Sequence, residues 1–468
     1  MVPFLPSRDF EQSAHHRPRP TPKADLTTAE CRRLGHATFR LLENHLVLPR
    51  PSTAVYSSEA CLALLLLADL VRASPEHAAR EARVAVQLLP HGKPAHLPSA
   101  DTAFLALRAI SDSDLLTALQ DVLDEQIRTD PPPPPDQPLL LAGDCHDILT
   151  YHKTPKRPPR HPRPSRALRL ALRRQPERGT DLAFRFLTFV TTRGTPRTVT
   201  ADPVLPLEGL APKLTHALDT ATHRLGRTPD LLLYDAAAYG SEVVAALHQQ
   251  RPKFIVRAPQ NARIATLLRQ SQGLLALALP NFPIRLHPNR ADETPVTVTL
   301  VAVRRELLDR HDISIPPTDA STKWFVYATN LVPEDGEGEK QFVLRVALLY
   351  KERWSVETSY RGIEELRGFT HALSYGPRLL LFFLAVILAN LWALQRARSG
   401  EAWTKAEVAL LLRYALLLVG LDAQRGVDGQ EVEIPPRPVD PTVPFRRGYQ
   451  EAERPRPVIR AILPRELL

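Results

Sequence analysis

Between Asp130 and Pro138 the chain reads DPPPPPDQP. No helix interior or central strand can pass through such a run, because proline has no N–H to donate and its ring clashes with the preceding turn. The run favours an extended polyproline II rod and marks a boundary. Upstream, residues 25–128 carry helical periodicity, with Thr27 or Thr28 and Ser111 or Ser113 as caps before apolar-periodic runs such as LLTALQDVLDEQI. Strand signals are nearly absent there.

Downstream the texture changes. Leu139 to Gly143 (LLLAG) reads as a short buried strand running directly into Asp144, and Leu231 to Tyr234 (LLLY) as another running into Asp235. Between them come a basic, proline-rich loop, strand-like runs at Leu182 to Thr192 and Arg197 to Ala201, and a helical run near Leu210 to Leu225. A helix (Ser241 to Gln250) and a strand (Phe254 to Arg257) alternate next, which predicts an α/β sheet flanked by helices. From Gly273 to Asn330 the pattern becomes β-branched alternation, as in TPVTVTLVAV and WFVYAT, and a long helical stretch then runs from Phe342 to about Leu421, with breaks near Gly368 and Gly376. The predicted division is a helical region with its proline linker over 1–136, the first part of an α/β core over 137–272, a β-rich insertion over 273–340, helices over 341–425, and a Pro/Arg-rich tail over 426–468.

Charge adds a second constraint. The chain has 60 Lys plus Arg against 51 Asp plus Glu, a net charge of +9. Nine basic residues and no acidic one lie between Lys153 and Arg174 (Lys153, Lys156, Arg157, Arg160, Arg163, Arg166, Arg169, Arg173, Arg174), so this one segment equals the whole excess. It reads either as a solvated loop or as a segment that contacts nucleic-acid phosphates, and the lack of compensating acid favours the contact. Cys31, Cys61 and Cys145 are far apart and form no CxxC pair, so they make no zinc site, and a reduced cytoplasmic protein is expected. Met1 to Phe10 shows no signal-peptide pattern, and the apolar run Leu379 to Leu394 is read as a buried core helix rather than a membrane span.

In YKERWSVETSYRGIEELRG, at about 100° per residue, Tyr350, Arg353 and Glu357 fall in a stripe about 60° wide that Arg361 and Glu364 continue. One reading is a solvated face in which Glu357 pairs with Arg361 at i+4, worth about 0.3–0.5 kcal/mol. The other joins Glu357 to Asp144 and Asp235. Two acids at strand ends and one on a later helix form the oxygen-rich trio that two-metal phosphoryl transfer requires.

The same segments carry a family resemblance. Tyr350, Arg353 and Glu357 match the Y-x2-R-x3-E core of the signature of cut-and-paste insertion-sequence transposases, DDE enzymes with an RNase H-like catalytic core. GDCHDILTYH resembles that family's first-aspartate strand, LLLYDAAAYGSEVVAAL its second, and RLLLFFLAVILANLWAL the helix that follows the glutamate, closing with Asn390, Leu391 and Trp392. The likeness spans about 139 to 395 and is nearest to the haloarchaeal-like group.

The resemblance implies that Asp144, Asp235 and Glu357 hold two Mg²⁺ ions, with Mn²⁺ as substitute, and that Tyr350 and Arg353 grip the element end near the scissile phosphate. It implies double-stranded DNA as partner (terminal inverted repeats and target), a homodimer in the synaptic complex, and a prokaryotic, nucleoid-associated setting. The helical region over 1–136 is the expected reader of the element ends. Lys153, Lys156, Arg157, Arg160 and Arg163 would contact DNA phosphates.

The signature continues with six residues and then Lys, but here that position is Glu364; Arg361 and Arg367 are the residues able to supply the missing positive charge. Two alternatives therefore stand beside the transposase reading: a catalytically impaired, transposase-derived DNA-binding protein, and a structure-selective nuclease on the same fold. Asp147 is the second choice for the first ligand and reads better as a turn cap past the strand. His146 and His152 read as hydrogen-bonded loop or surface residues, and Cys145 as a core residue on the sheet face opposite Asp144.

Overall fold

The computed structural model describes residues 37–399 except 50–53, 55, 88–97, 130–135, 151–169, 178–179, 195, 207, 251, 285–294, 312, 314–322, 369 and 371–373. Four helices open it after a short helical turn at 37–43: α1 (Ser58–Leu70), α2 (Pro75–Gln87), α3 (Ala100–Arg108) and α4 (Asp112–Arg128). Ser57, Ser99 and Ser111 cap α1, α3 and α4, each hydroxyl accepting a backbone N–H three residues on. Ser111 is thus one of the two caps expected from the sequence, while Thr27 and Thr28 lie outside the described residues.

The remainder is built on one nine-stranded mixed sheet. Its strands are β1 (Leu140–Thr150), β2 (Leu172–Glu177), β3 (Thr180–Thr191), β4 (Thr198–Val204), β5 (Leu231–Tyr234), β6 (Lys253–Arg257), β7 (Ala276–Ile284), β8 (Val296–Arg304) and β9 (Trp324–Thr329). They lie in the order β2-β3-β1-β5-β6-β9-β8-β7, with β4 pairing the length of β3 that β2 leaves uncovered. β1, β5 and β6 are mutually parallel, and the other pairings are antiparallel. α5 (Leu210–Leu225), α6 (Ser241–Gln249), α7 (Ala262–Gln270) and the one-turn α8 (Arg305–Asp309) connect them. α9 (Glu339–Lys351), α10 (Trp354–Leu366) and α11 (Tyr375–Ser399) follow.

The β-rich stretch extends the central sheet, because β9 pairs with β6 and carries β8 and β7 along. Two elements depart from expectation. β1 does not stop at Gly143 but runs on to Thr150, held by antiparallel pairing to β3 from Leu141 through Thr150. The end of the basic segment is also strand, since Leu172–Glu177 forms β2.

α11 is the central beam. Leu379 to Leu388 are almost wholly buried, each Leu or Phe contributing about 1.5–3 kcal/mol through apolar burial. By length and composition Tyr375–Leu394 could cross a membrane, but it is packed inside the protein, between α4 and the β3–β4 ladder. Asn390 secures it there. Its amide N–H groups donate to Thr198 O and Gln126 Oε1, and its Oδ1 accepts from Thr198 N, a fully bonded polar group in an apolar interior.

Candidate active site

Parallel pairing of β1 with β5 ends at Gly143 opposite Tyr234, so the next residues on the two strands, Asp144 and Asp235, stand level on the same face about 4.8 Å apart in strand spacing. β5 stops there while β1 continues along β3. Asp144 therefore lies where β1 loses its neighbour on one side, at a notch in the sheet. It is a mid-strand residue, not the strand end expected from LLLAG.

Gly143 is required by what lies opposite. A Cβ there would stand 2.5 Å from a Tyr234 ring carbon and 2.6 Å from Phe189, the two residues paired with it on either side. These rings fill the face opposite the acids, where Cys145 also points, its Sγ 3.6 Å from the Tyr234 hydroxyl. Cys145 is thus on the face expected, although half-buried.

Backbone donors hold both aspartates. Asp144 Oδ1 accepts from Cys145 N at 2.7 Å, and Asp235 Oδ1 from Ala237 N at 3.0 Å, the cap of a single 3₁₀ turn. Burial, then the neighbouring Asp235 charge, push the Asp144 carboxyl up to about 7 despite the opposing pull of Arg353. Burial raises Asp235 as well, eased by the Ala237 N–H and by Arg353, Arg257 and Arg185.

Tyr350, Arg353 and Glu357 do not share one helix. α9 ends at Lys351 and α10 begins at Trp354, with the elbow between them closed by i→i+3 bonds from Glu352 N and Arg353 N to Leu349 O and Tyr350 O. Glu352, which the motif reading passed over, pins this elbow: its carboxylate accepts from Arg193 Nε and Nη2 and from Thr192 Oγ1 at the end of β3. The elbow aims Arg353 at the notch. Its Nη1 donates to Asp144 Oδ2 at 3.3 Å and its Nη2 to Glu357 Oε1 at 2.6 Å, so one guanidinium joins the strand acid to the helix acid. Glu357 thus bonds backward to Arg353 rather than forward to Arg361, and its other oxygen accepts the Trp354 indole N–H. Trp354 is 42% exposed, a large aromatic at the mouth of the site that the motif did not single out. Tyr350 lies buried beneath the Arg353 guanidinium, 5.6 Å from ring centre to Arg353 Cζ.

Glu364 is occupied. It bonds His146 Nε2 at 2.8 Å and accepts a forked pair from Arg367 at 3.0 and 2.9 Å. Burial alone would raise its carboxyl, but these partners outweigh burial and hold it at about 2. Arg367 is thereby committed, leaving Arg361 exposed on α10. His146 is a strand residue stacked on Phe382, tilted against Tyr360 and mostly buried, not the loop or surface histidine expected. Asp147 is no turn cap. It sits within β1 and receives a forked bond from Arg185 at 2.8 and 2.9 Å, on the face away from Asp144. Lys153, Lys156, Arg157, Arg160 and Arg163 lie outside the described residues, as does His152.

The donor chemistry suits a hard divalent cation. Two carboxylates side by side, raised by burial and mutual charge, present oxygen ligands that a dication would satisfy. Among the described residues no three acidic, histidine or cysteine side chains already stand close enough to hold an ion together, because Arg353 lies between Asp144 and Glu357.

No protein-family model and no curated protein sequence matches this chain. In fold it is a mixed α/β protein built on a large mixed sheet. Among solved structures it is similar in fold to the piggyBac transposase synaptic complex with hairpin DNA, determined by cryo-electron microscopy, at 12% identity and a TM-score of 0.52, covering 85% of this chain and 83% of that one.

Proposed function

We propose that the chain is a DDE transposase that cleaves DNA at the ends of a mobile element and joins them to target DNA. The observation that carries this reading is the level pair Asp144 and Asp235 on adjacent parallel strands, bridged through Arg353 to Glu357 on a helix. Two things support it. The chain shares its fold with a transposase solved in complex with DNA. The block β4-β3-β1-β5-β6, antiparallel up to β1 and parallel after it, suits an RNase H-like core within the larger sheet.

Asp144, Asp235 and Glu357 would hold two Mg²⁺ ions, or Mn²⁺ in their place, which when bound lower the pKa of the attacking water or 3′-hydroxyl and stabilise the leaving oxygen. The chain's own groups orient and grip. The Cys145 and Ala237 N–H groups fix the two aspartates, and the elbow between α9 and α10 delivers Arg353 to the DNA backbone beside them, with Tyr350 supporting its guanidinium from beneath. Arg361 faces outward for a phosphate, and Lys153 to Arg163 would add affinity without reading sequence. Double-stranded DNA and a second copy of the chain are the partners of this reading.

Incubating the protein with DNA flanking its coding region, in Mg²⁺ or Mn²⁺, should give strand cleavage at the element ends. An Asp235→Ala variant should lose it. Undiminished cleavage by that variant would remove the assignment, end binding without cleavage in any divalent ion would favour the impaired relative, and cutting of branched junctions regardless of flanking sequence would favour the nuclease.

A further inference from the structure

α1 buries an acid among its leucines. Asp69 stands in the last turn of α1, after Leu64 to Leu67 and before Leu70, all of them buried, and is itself 0% exposed. Its Oδ1 accepts the Gly368 N–H at 2.6 Å, directly after the Arg367 that closes α10. A Cβ at Gly368 would stand 2.7 Å from that oxygen and 3.0 Å from Ala68 O, so glycine is what lets the chain run this close to α1. The break read near Gly368 in the sequence has this contact as its reason.

A carboxyl is a costly choice at this position. Asp69 Oδ2 is buried with no hydrogen-bond partner, and burial pushes the group well above the ordinary carboxylate range, against the pull of the Gly368 N–H and the Arg367 charge. Leucine would fill the place without an unbonded oxygen but would leave the Gly368 N–H unsatisfied, so the task of the acid is to hold Gly368. α10 is thereby fastened at its far end on two sides. Glu364 ties it to His146 of β1, and Asp69 ties it to α1. Glu357 lies eleven residues before Gly368, about 16 Å along at about 1.5 Å per residue, so a shift where Asp69 holds the end is carried by the helix to the acid that Arg353 joins to Asp144.

We propose that Asp69 is a positioning residue for the candidate active site: through Gly368 it seats the far end of α10 on α1 and so sets where Glu357 meets Asp144 and Asp235. This rests on the transposase reading, which gives Glu357 its role, and adds that the helical region expected to read the element ends also fixes the helix bearing the third acid. A displacement of about 1 Å at such an acid costs about a hundredfold in rate, which is why the fastening matters.

The test uses full-length protein with Asp69→Ala and Asp69→Asn, read by hydrogen exchange with mass spectrometry in the absence of metal and by Mn²⁺ titration of tryptophan emission well below the melting point. Asp69→Ala should speed exchange about tenfold in peptides covering 354–366 while the sheet peptides keep their protection, and should raise the Mn²⁺ midpoint about fivefold, the loss of one hydrogen bond. Asp69→Asn keeps the Oδ1 acceptor and should stay within about twofold of wild type in both. Unchanged exchange over 354–366, faster exchange spread evenly over the chain, an unchanged midpoint beside a responding wild type, or equal losses in the two variants would each overturn the positioning role. If Asp69→Ala does not fold, Gly368→Ala decides in its place, since its Cβ pushes the same contact apart. A wild type whose emission ignores both Mn²⁺ and Mg²⁺ would instead remove the metal-dependent reading of the site, and the exchange result would still decide what Asp69 holds.

Discussion

Glu364 bonds His146 at 2.8 Å, tying the last turn of α10 to β1 two residues beyond Asp144. With the forked bond from Arg367, this makes the acid at the signature's lysine position part of the scaffold that sets the distance between the helix carrying Glu357 and the strand carrying Asp144.

Glu364→Lys should therefore harm folding, although it recreates the family motif. It would place a second cation beside Arg367 and remove the carboxylate that bonds His146, and the melting midpoint should fall by about 2–4 °C, the shift of about 1 kcal/mol in a domain of this order. The native carboxyl is held at about 2, below its ordinary value near 4.3. Its stabilisation is thus fully present above about pH 4.3 and is lost as pH falls toward 2, so the wild-type advantage over Glu364→Gln should be seen at pH 7 and vanish at pH 2. A midpoint difference that does not change with pH would contradict this.

Gly143→Ala should destabilise by about 1–3 kcal/mol, since its Cβ would meet the Tyr234 and Phe189 rings at 2.5 and 2.6 Å. Urea titration followed by circular dichroism measures it. Adding Tyr234→Leu should return part of the loss, whereas strict additivity of the two changes would argue against the steric cause.

Asp144→Asn should stabilise the protein at pH 8 in the absence of divalent cations. The carboxyl is raised to about 7 from an ordinary value near 3.9, so its cost to folding is absent below about pH 4, grows between 4 and 7, and is complete above 7. The gain should be about 1–2 kcal/mol at pH 8, less than the full shift implies because Arg353 loses a charged partner, and should disappear at pH 4. Equal melting points at pH 8 would show that Asp144 is not strained as described.

Trp354 reports on Glu357 through its indole N–H bond. Titration with Mg²⁺ or Mn²⁺ should change tryptophan emission as Glu357 turns to the cation, and the change should be missing in Trp354→Phe and in Asp235→Asn. An emission change that survives Asp235→Asn would place the ion elsewhere.

Asn390→Ala removes three buried hydrogen bonds and leaves Thr198 and Gln126 unsatisfied. A loss of about 2–4 kcal/mol is expected in chemical denaturation, and a change under 1 kcal/mol would mean that water replaces the amide.

Much of this molecule is legible in its amino-acid order, because the information is local. LLLY, KFIVR and WFVYAT are short apolar runs with polar or turn-forming residues around them and become β5, β6 and β9; Ser111 caps its helix; the ten residues from Leu379 are too apolar for any surface. Asp144, Asp235 and Glu357 could be picked out because residue type and spacing restrict what chemistry they suit. What remained hidden depends on pairing between distant segments. β1 outlasts LLLAG because β3, some forty residues later, supplies the partner for its second half, and the β-rich stretch joins the main sheet because β6 offers β9 an edge. A pattern with period two reveals which residues share a face but not which strand lies alongside, so the level pair of Asp144 and Asp235 exists only once the ladder sets its register. The elbow that separates Tyr350 from Glu357, and the bond that turns Glu364 into scaffold, were likewise decided by partners far along the chain, Arg193 on one side and His146 on the other.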